Sequence, residues 1–281
     1  MTTSAPDGQP GHPDAPNRRS QLKSDRRLQL LSAAERLFAE RGFDGVTMPM
    51  IAQASGFDAF FIDMEHCAIG LDTAAVICTA ALPLGIAPMA RIAGHRFEDA
   101  TRLLDMGALD IIAPHVDTRA QAFADACRFP PLGTRSVSGA GALQGYRPTP
   151  LRDINAQGNA ATLLTATLET SEGIDNADAI ASVPGIDVLL IGSNDLCTAM
   201  GIPGETRHPK LRAAYEAVAA ACRKHDKHLG IGGIRSDPAH VAELIALGAR
   251  FVIAGSDVQY LLSAGRNDLA ALQKKSARLS E

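Results

Sequence analysis

The sequence predicts an α/β barrel of eight parallel strands, and three observations carry that expectation. From Phe57 onward, short and nearly continuous apolar runs alternate with amphipathic helical runs, the pattern of a parallel sheet covered by helices. The chain has 281 residues, which fits one barrel of about 250 residues with a small extension, although length alone also admits two smaller domains. Four apolar runs deliver charged or titratable side chains at or just past their C-terminal ends: Phe60–Ile62 into Asp63, Glu65 and His66, Ile86–Ala90 into Arg91, Leu163–Leu168 into Glu169, and Val188–Gly192 into Asp195. Strand C-termini form the reactive face of such barrels, so these ends predict one assembled active site.

Residues 1–18 are rich in Pro, Gly, Ser and Asp and nearly free of large apolar side chains, which predicts a disordered tail. Over residues 19–44, Leu22, Leu28, Leu31, Ala34 and Leu37 recur at helical spacing and Gly42 is a plausible stop, which predicts an N-terminal helix. The barrel then occupies residues 45–281, opening with a short strand at Gly45–Met48 and a short helix over Met50–Ala54. Strands are expected at Ala59–Asp63, Ile86–Ile92, Ile111–Pro114, Leu163–Leu168, Val188–Ile191, Leu229–Ile231 and Phe251–Ala254. Helices are expected at Asp72–Ala81, Arg96–Met106, Thr118–Cys127, Gly173–Ser182, Pro209–His225, Pro238–Leu247 and from Asp257 toward Lys274. The only room for an eighth strand is near Gly45–Met48, so the first strand is expected to be atypical or missing. Phe129–Pro150 is an irregular excursion, and a loop of that length in a compact domain is usually functional.

The net charge of -4 gives no global attraction to nucleic acid or acidic membranes. No apolar run approaches the roughly 18 residues of a membrane span, and no signal-peptide core precedes the barrel. Cys67, Cys78, Cys127, Cys197 and Cys222 show no C-x-x-C spacing, which points to reduced thiols in a cytoplasmic protein, most of them small core residues.

Glu169 and Asp195 have no Cys or His nearby in sequence, and suit a hard divalent ion such as Mg²⁺ or Mn²⁺. Alternatively, both are acids favoured by helix N-termini. Arg91 needs an anionic partner, either a substrate carboxylate or enolate, or a structural pairing with Asp63 or Glu65. His66 is a candidate general base, or else a polar strand cap. Asp105 interrupts an apolar helical face, where it either orients His66 or only supplies polarity at a helix end. Ser138 lacks the strand-turn-helix context of a nucleophile elbow. Leu229–Gly233 lacks the spacing of a dinucleotide fingerprint.

Six motifs in order bring these residues together: Ile62-Asp63-Met64-Glu65-His66, Met89-Ala90-Arg91, Leu104-Asp105-Met106-Gly107-Ala108, Arg128-Phe129-Pro130-Pro131-Leu132-Gly133-Thr134-Arg135, Leu168-Glu169-Thr170 and Ile191-Gly192-Ser193-Asn194-Asp195-Leu196. From Gly56 to about Leu272 the chain resembles the class II, metal-dependent pyruvate aldolases. These are the 4-hydroxy-2-oxoheptanedioate aldolase family, within the phosphoenolpyruvate/pyruvate barrel superfamily that includes citrate-lyase-like enzymes. The resemblance implies a (β/α)8 TIM barrel of that type and retro-aldol cleavage of a 4-hydroxy-2-oxo acid to pyruvate and an aldehyde. It implies Glu169 and Asp195 as ligands of a divalent ion (Mg²⁺, Mn²⁺ or Co²⁺), and backbone amides around Gly192, Ser193 and Asn194 as holders of the substrate carboxylate. Arg91 would stabilise the enolate, and His66, oriented by Asp105, would handle the proton of the C4 hydroxyl. Family members are typically trimers or hexamers. A second enzymatic reading is a lyase acting on a 3-hydroxyacyl-CoA thioester.

The chain departs from the family at its start. Leu31–Met48 and Ile51–Gly56 resemble the beginning of a tetracycline-repressor-type helix-turn-helix, without the helix that would read bases. This leaves a DNA-binding regulator with a 2-oxo-acid-sensing barrel as a third reading.

Overall fold

The computed structural model describes Leu37, residues 39–41, residues 45–235 and residues 237–279, with side chains as far as Lys274. The tail predicted over 1–18 lies outside the described residues, as do nearly all of the helix predicted over 19–44 and the first part of the repressor-like stretch.

Seven parallel strands form one sheet in sequence order: β1 Ala59–Asp63, β2 Ala87–Arg91, β3 Asp110–Ala113, β4 Leu163–Leu168, β5 Val188–Gly192, β6 His228–Gly232 and β7 Ala249–Val252. Main-chain crossovers carry helices: α1 Met48–Ala54 before β1, α2 Leu71–Ala81, α3 Phe97–Asp105, α4 Ala120–Cys127, α5 Leu151–Ala161, α6 Ser171–Asp175, α7 Ala177–Ser182, α8 Ser193–Ala199, α9 Pro209–Lys224, α10 Pro238–Leu247 and the long α11 Asp257–Leu279.

Alternation along the strands divides the core into two layers. Leu164, Ala166 and Leu168 of β4, with Leu189 and Ile191 of β5, pack outward in the large cluster shared with Phe123 of α4 and Tyr215 of α9. The alternate positions face inward, where Met89, Ile112 and Leu190 form a second, small cluster. Ala59 and Phe61 of β1 and Phe251 and Ile253, at and just past β7, pack against that same inner cluster. The two edges of the sheet therefore converge, and the sheet curls as a barrel wall does. Phe57, just before β1, meets Tyr260 of α11 with ring centroids 6.2 Å apart.

No strand pairs β1 with β7 among the described residues. The strand predicted at Gly45–Met48 is not there. Gly45 is in a turn, Val46 and Thr47 are irregular, and Met48 already begins α1. Two local causes explain the difference. Pro49 stands in the first turn of α1, where a fixed φ and a missing N–H favour helix. A Cβ on Gly45 would lie only 2.3 Å from the Arg41 carbonyl oxygen, so the chain is folded back at the point where a strand would run straight.

Other boundaries move by small amounts. The helix predicted over Gly173–Ser182 starts two residues earlier and breaks at Asn176 into α6 and α7. Thr170 sets the start by accepting a hydrogen bond at Oγ1 from the Gly173 N–H, 2.9 Å. β7 begins at Ala249, ahead of the predicted Phe251, beside a register shift at Leu229/Gly230.

At the N-terminal end of the strands, buried Arg128 is a clamp. Its guanidinium donates to the carbonyls of Asn159 and Thr162, each at 2.8 Å, to that of Gly185 at 3.1 and 2.8 Å, and to the Asp187 carboxylate. Asp187 in turn accepts from the Leu164 N–H at 2.8 Å. One side chain thus ties the entries to β4 and β5 together.

Candidate active site

The C-terminal ends of β1, β2, β4 and β5, with the turn after β3, gather the charged residues. Parallel pairing sets Asp63 opposite Arg91 in register. Arg91 donates from Nε to Asp63 Oδ1 at 3.0 Å and from Nη2 to Oδ2 at 2.6 Å, a two-pronged pair. Its Nη1 lies 3.3 Å from Glu65 Oε2. Burial works against the Arg91 charge, but Asp63, Glu65 and Glu169 outweigh it and hold the guanidinium above its ordinary value. Burial likewise opposes the Asp63 charge, and Arg91 with the N–H groups of His66 and Glu65 brings that carboxyl below its ordinary value. Arg91 is thus paired structurally, as the sequence allowed, and it remains within electrostatic reach of Glu169.

Glu169 follows β4 directly and is only 3% exposed. Its Oε2 accepts from the His115 backbone N–H at 3.1 Å, and the His115 ring Nδ1 lies 3.5 Å from that oxygen. Its Oε1 lies over Gly192, where a Cβ would come within 2.5 Å. A side chain at 192 would displace the carboxylate, which is a physical reason for glycine at the end of β5. Burial raises the Glu169 pKa, and the negative charges of Glu65 and Asp195 push in the same direction. Asp195 is exposed in the first turn of α8, beside exposed Asn194. Ser193 is fully buried, its hydroxyl 2.8 Å from the Tyr215 hydroxyl, so its side chain is engaged in the core.

His66 is on the same face, with its side chain 61% exposed and its Nε2 3.8 Å from Glu65 Oε2. Its backbone N–H donates to Asp63 Oδ1 at 3.2 Å. Asp105 is not brought to it. α3 starts after the C-terminal end of β2 and returns toward the N-terminal end of β3, so Asp105, its last residue, sits at the opposite end of the sheet. There Asp105 accepts from Arg135 Nη2 at 2.6 Å. The expectation that Asp105 orients His66 is corrected for one chain by this crossover geometry.

His115 was not singled out in the sequence. The signal was available, because Ala113-Pro114-His115 repeats the apolar run ending in a titratable residue. The short, wholly buried β3 made it read as a strand with nothing at its tip.

The residues present fit a divalent cation. Glu65 and Asp195 each interact electrostatically with Glu169, and Glu65 Oε2 is buried and makes an ion pair with Arg91 but no hydrogen bond. Oxygen donors carrying mutual repulsion are the set that a hard cation relieves. Among the described residues no group of three or more His, Cys, Asp or Glu is arranged to hold a metal. A pair of protein ligands such as Glu169 and Asp195 leaves positions open to water and substrate. A separate open cleft of about 520 Å³, lined by residues 204–209 and Asp237, contains none of these side chains.

The chain is similar to known proteins over most of its length. The family model described as HpcH/HpaI aldolase/citrate lyase matches residues 39–264. Over 240 residues the chain is 40% identical to the 4-hydroxy-4-methyl-2-oxoglutarate aldolase tasA of Hapsidospora irregularis, covering 82% of this chain and 88% of that one. Over 237 residues it is 32% identical to a 2-keto-3-deoxy-L-rhamnonate aldolase of Klebsiella pneumoniae subsp. pneumoniae, covering 83% and 87%. Among solved structures, the HpcH/HpaI aldolase of Desulfitobacterium hafniense DCB-2 matches with a TM-score of 0.76 at 25% identity, over 80% of this chain and 87% of that one.

Proposed function

The chain belongs to the HpcH/HpaI aldolase/citrate lyase family, and from that premise we propose that it is a class II pyruvate aldolase. Its reaction is the cleavage, or in reverse the formation, of a 4-hydroxy-2-oxo acid. The substrates named for the two curated relatives are both 2-oxo acids with a methylene at C3 and a hydroxyl at C4. They differ in the half beyond C4. The shared unit is what the site has to recognise.

The observation that carries the reading is the Arg91–Asp63–Glu65 group beside buried Glu169. Loss of the C4 hydroxyl proton lets the C3–C4 bond break. The electron pair then moves onto the 2-oxo acid half as an enolate, and a proton at C3 completes pyruvate. Negative charge therefore develops at one oxygen, and a guanidinium already held in place by Asp63 needs no reorganisation to meet it. His66, on the same face, takes up the hydroxyl proton. Backbone amides around Gly192, Ser193 and Asn194 hold the substrate carboxylate. Glu169 and Asp195 hold a divalent ion, Mg²⁺, Mn²⁺ or Co²⁺, which when bound supplies Lewis-acid polarisation of the 2-oxo group.

The same reading includes a homo-oligomer, a trimer or hexamer. Val258, Leu261, Leu262, Leu269 and Leu272 are exposed along α11, a wide apolar stripe for one chain to leave in water.

The experiment is a comparison of substrates by product release. With a short 4-hydroxy-2-oxo acid the protein releases pyruvate, and with malyl-CoA it releases little or none. Preference for the thioester contradicts the aldolase reading and favours a lyase acting on 3-hydroxyacyl-CoA.

A further inference from the structure

Among the described residues, His115 is the one non-glycine residue just past the C-terminal end of a strand with a left-handed backbone, φ 47°. A histidine adopts that region uncommonly, and such a conformation persists where surrounding contacts over-determine it. Here three backbone groups on either side of the ring are tied. The Pro114 carbonyl, just before it, is 2.8 Å from His95 Nε2. The His115 carbonyl accepts from the Asp117 N–H at 3.0 Å, and the Val116 N–H donates to the Thr167 carbonyl at 3.0 Å. The consequence of the turn is that the backbone N–H and the ring Nδ1 of one residue both approach Glu169 Oε2, at 3.1 and 3.5 Å. The opposite oxygen, Oε1, lies over the bare Cα of Gly192. Glu169 is therefore held between the end of β3 and the end of β5.

We propose that His115 is a positioning residue, whose ring and backbone together lock the orientation of the Glu169 carboxylate toward a bound divalent cation. The inference rests on the reading of Glu169 as a cation ligand and deepens it. A carboxylate free to rotate presents its oxygens to an ion only part of the time. A carboxylate fixed at one oxygen presents the other continuously, and removing such a support typically weakens metal binding by about 10- to 100-fold.

The test titrates Mn²⁺ into the full-length protein by calorimetry and follows thermal unfolding of the same samples. His115→Gly keeps the backbone N–H and accepts the positive φ without strain, so it removes the ring alone. His115→Asn also tolerates this backbone region and restores a side-chain N–H donor. The expected result is Mn²⁺ affinity about tenfold weaker or more in His115→Gly, an unchanged or higher Tm, and affinity close to wild type in His115→Asn. Equal affinity in wild type and His115→Gly overturns the proposal. So does an equal loss of affinity and of Tm in both variants, which marks general disruption of the turn. A wild-type protein that binds no Mn²⁺ overturns the cation reading itself, and is told apart by the absence of any binding to compare.

Discussion

Arg91 reaches the site already oriented, with Asp63 on two of its nitrogens and Glu65 beside a third. A guanidinium offers five N–H donors in a fixed fork, so the pairing leaves some of them for an incoming oxyanion. Lysine brings a single point charge and cannot reproduce the fork. Arg91→Lys is therefore expected to lower kcat by about 10²- to 10³-fold, the usual cost of one lost oxyanion donor, with a much smaller change in KM. Steady-state pyruvate release separates the two constants, and a change confined to KM contradicts the assignment. Glu169 makes a second prediction at this scale. Burial, opposed by the ring and backbone N–H of His115 and reinforced by Glu65 and Asp195, raises its pKa above the ordinary 4.5. Only the ionised carboxylate binds a cation, so affinity declines as pH falls through a value higher than for a free glutamate. Calorimetric titrations between about pH 4.5 and 8 check this, and an affinity that is flat down to the ordinary carboxylate range contradicts it.

The elements themselves make further predictions, and they also show what was legible in the sequence. Asp110, the first residue of β3, is 1% exposed, and its two oxygens accept from the Thr165 hydroxyl at 3.1 and 2.9 Å, with the Thr165 backbone N–H also donating to the carboxylate. Burial, against the Thr165 bonds, takes its pKa to about 7 from 3.8. Between those values the folded chain keeps a proton that the unfolded chain releases, so stability declines as pH rises across that window. Asp110→Asn is expected to remove this decline, so its Tm advantage over wild type grows from about pH 5 to pH 8. An advantage that stays constant sinks the idea. Arg128→Met leaves three carbonyls without this donor and Asp187 without its cationic partner, and a loss on the order of 3–5 kcal/mol in chemical unfolding is expected. β4 and β5 were the most legible strands because burial on both faces writes nearly continuous apolar runs, as in Leu163–Leu168 and Val188–Gly192. Their charged ends stood out against those runs. α5 was not legible, because it buries little beyond Ile154 and Gly158, and Gly158 serves there by admitting the Phe129 ring, 2.7 Å from where a Cβ would be. α8 was not among the expected helices, although the alternative reading of Asp195 as an acid at a helix N-terminus pointed to it, and Ser193 is anchored in the core by Tyr215. The misplacement of Asp105 has a different cause. Sequence spacing shows that a residue lies on a helix, while only the direction of the crossover shows which end of the sheet it reaches.

At the scale of the whole molecule, the seven strands curl far enough for Phe61 and Phe251 to share one inner cluster, yet nothing among the described residues pairs β1 with β7. The family match begins at residue 39, so it includes Ile51–Gly56, which also resembles the start of a repressor domain. In this structure Ile51–Ala54 is the end of α1 and Ser55–Gly56 the turn after it, leading into β1. The exposed stripe of α11 predicts self-association. Light scattering on the eluting protein should give a mass of three or six chains, and paired Leu261→Asp and Leu262→Asp substitutions should reduce it toward one. A wild-type protein that elutes as a single chain contradicts the oligomer. The central claim is a cation-assisted retro-aldol reaction at the strand ends around Arg91 and Glu169. The measurement that tests it most directly is pyruvate release from 4-hydroxy-4-methyl-2-oxoglutarate by the chelator-treated protein, before and after addition of Mn²⁺. The account predicts no pyruvate before addition and restored turnover after it in wild type, with no restoration in Glu169→Gln. Full turnover in chelator, or in Glu169→Gln, would contradict it.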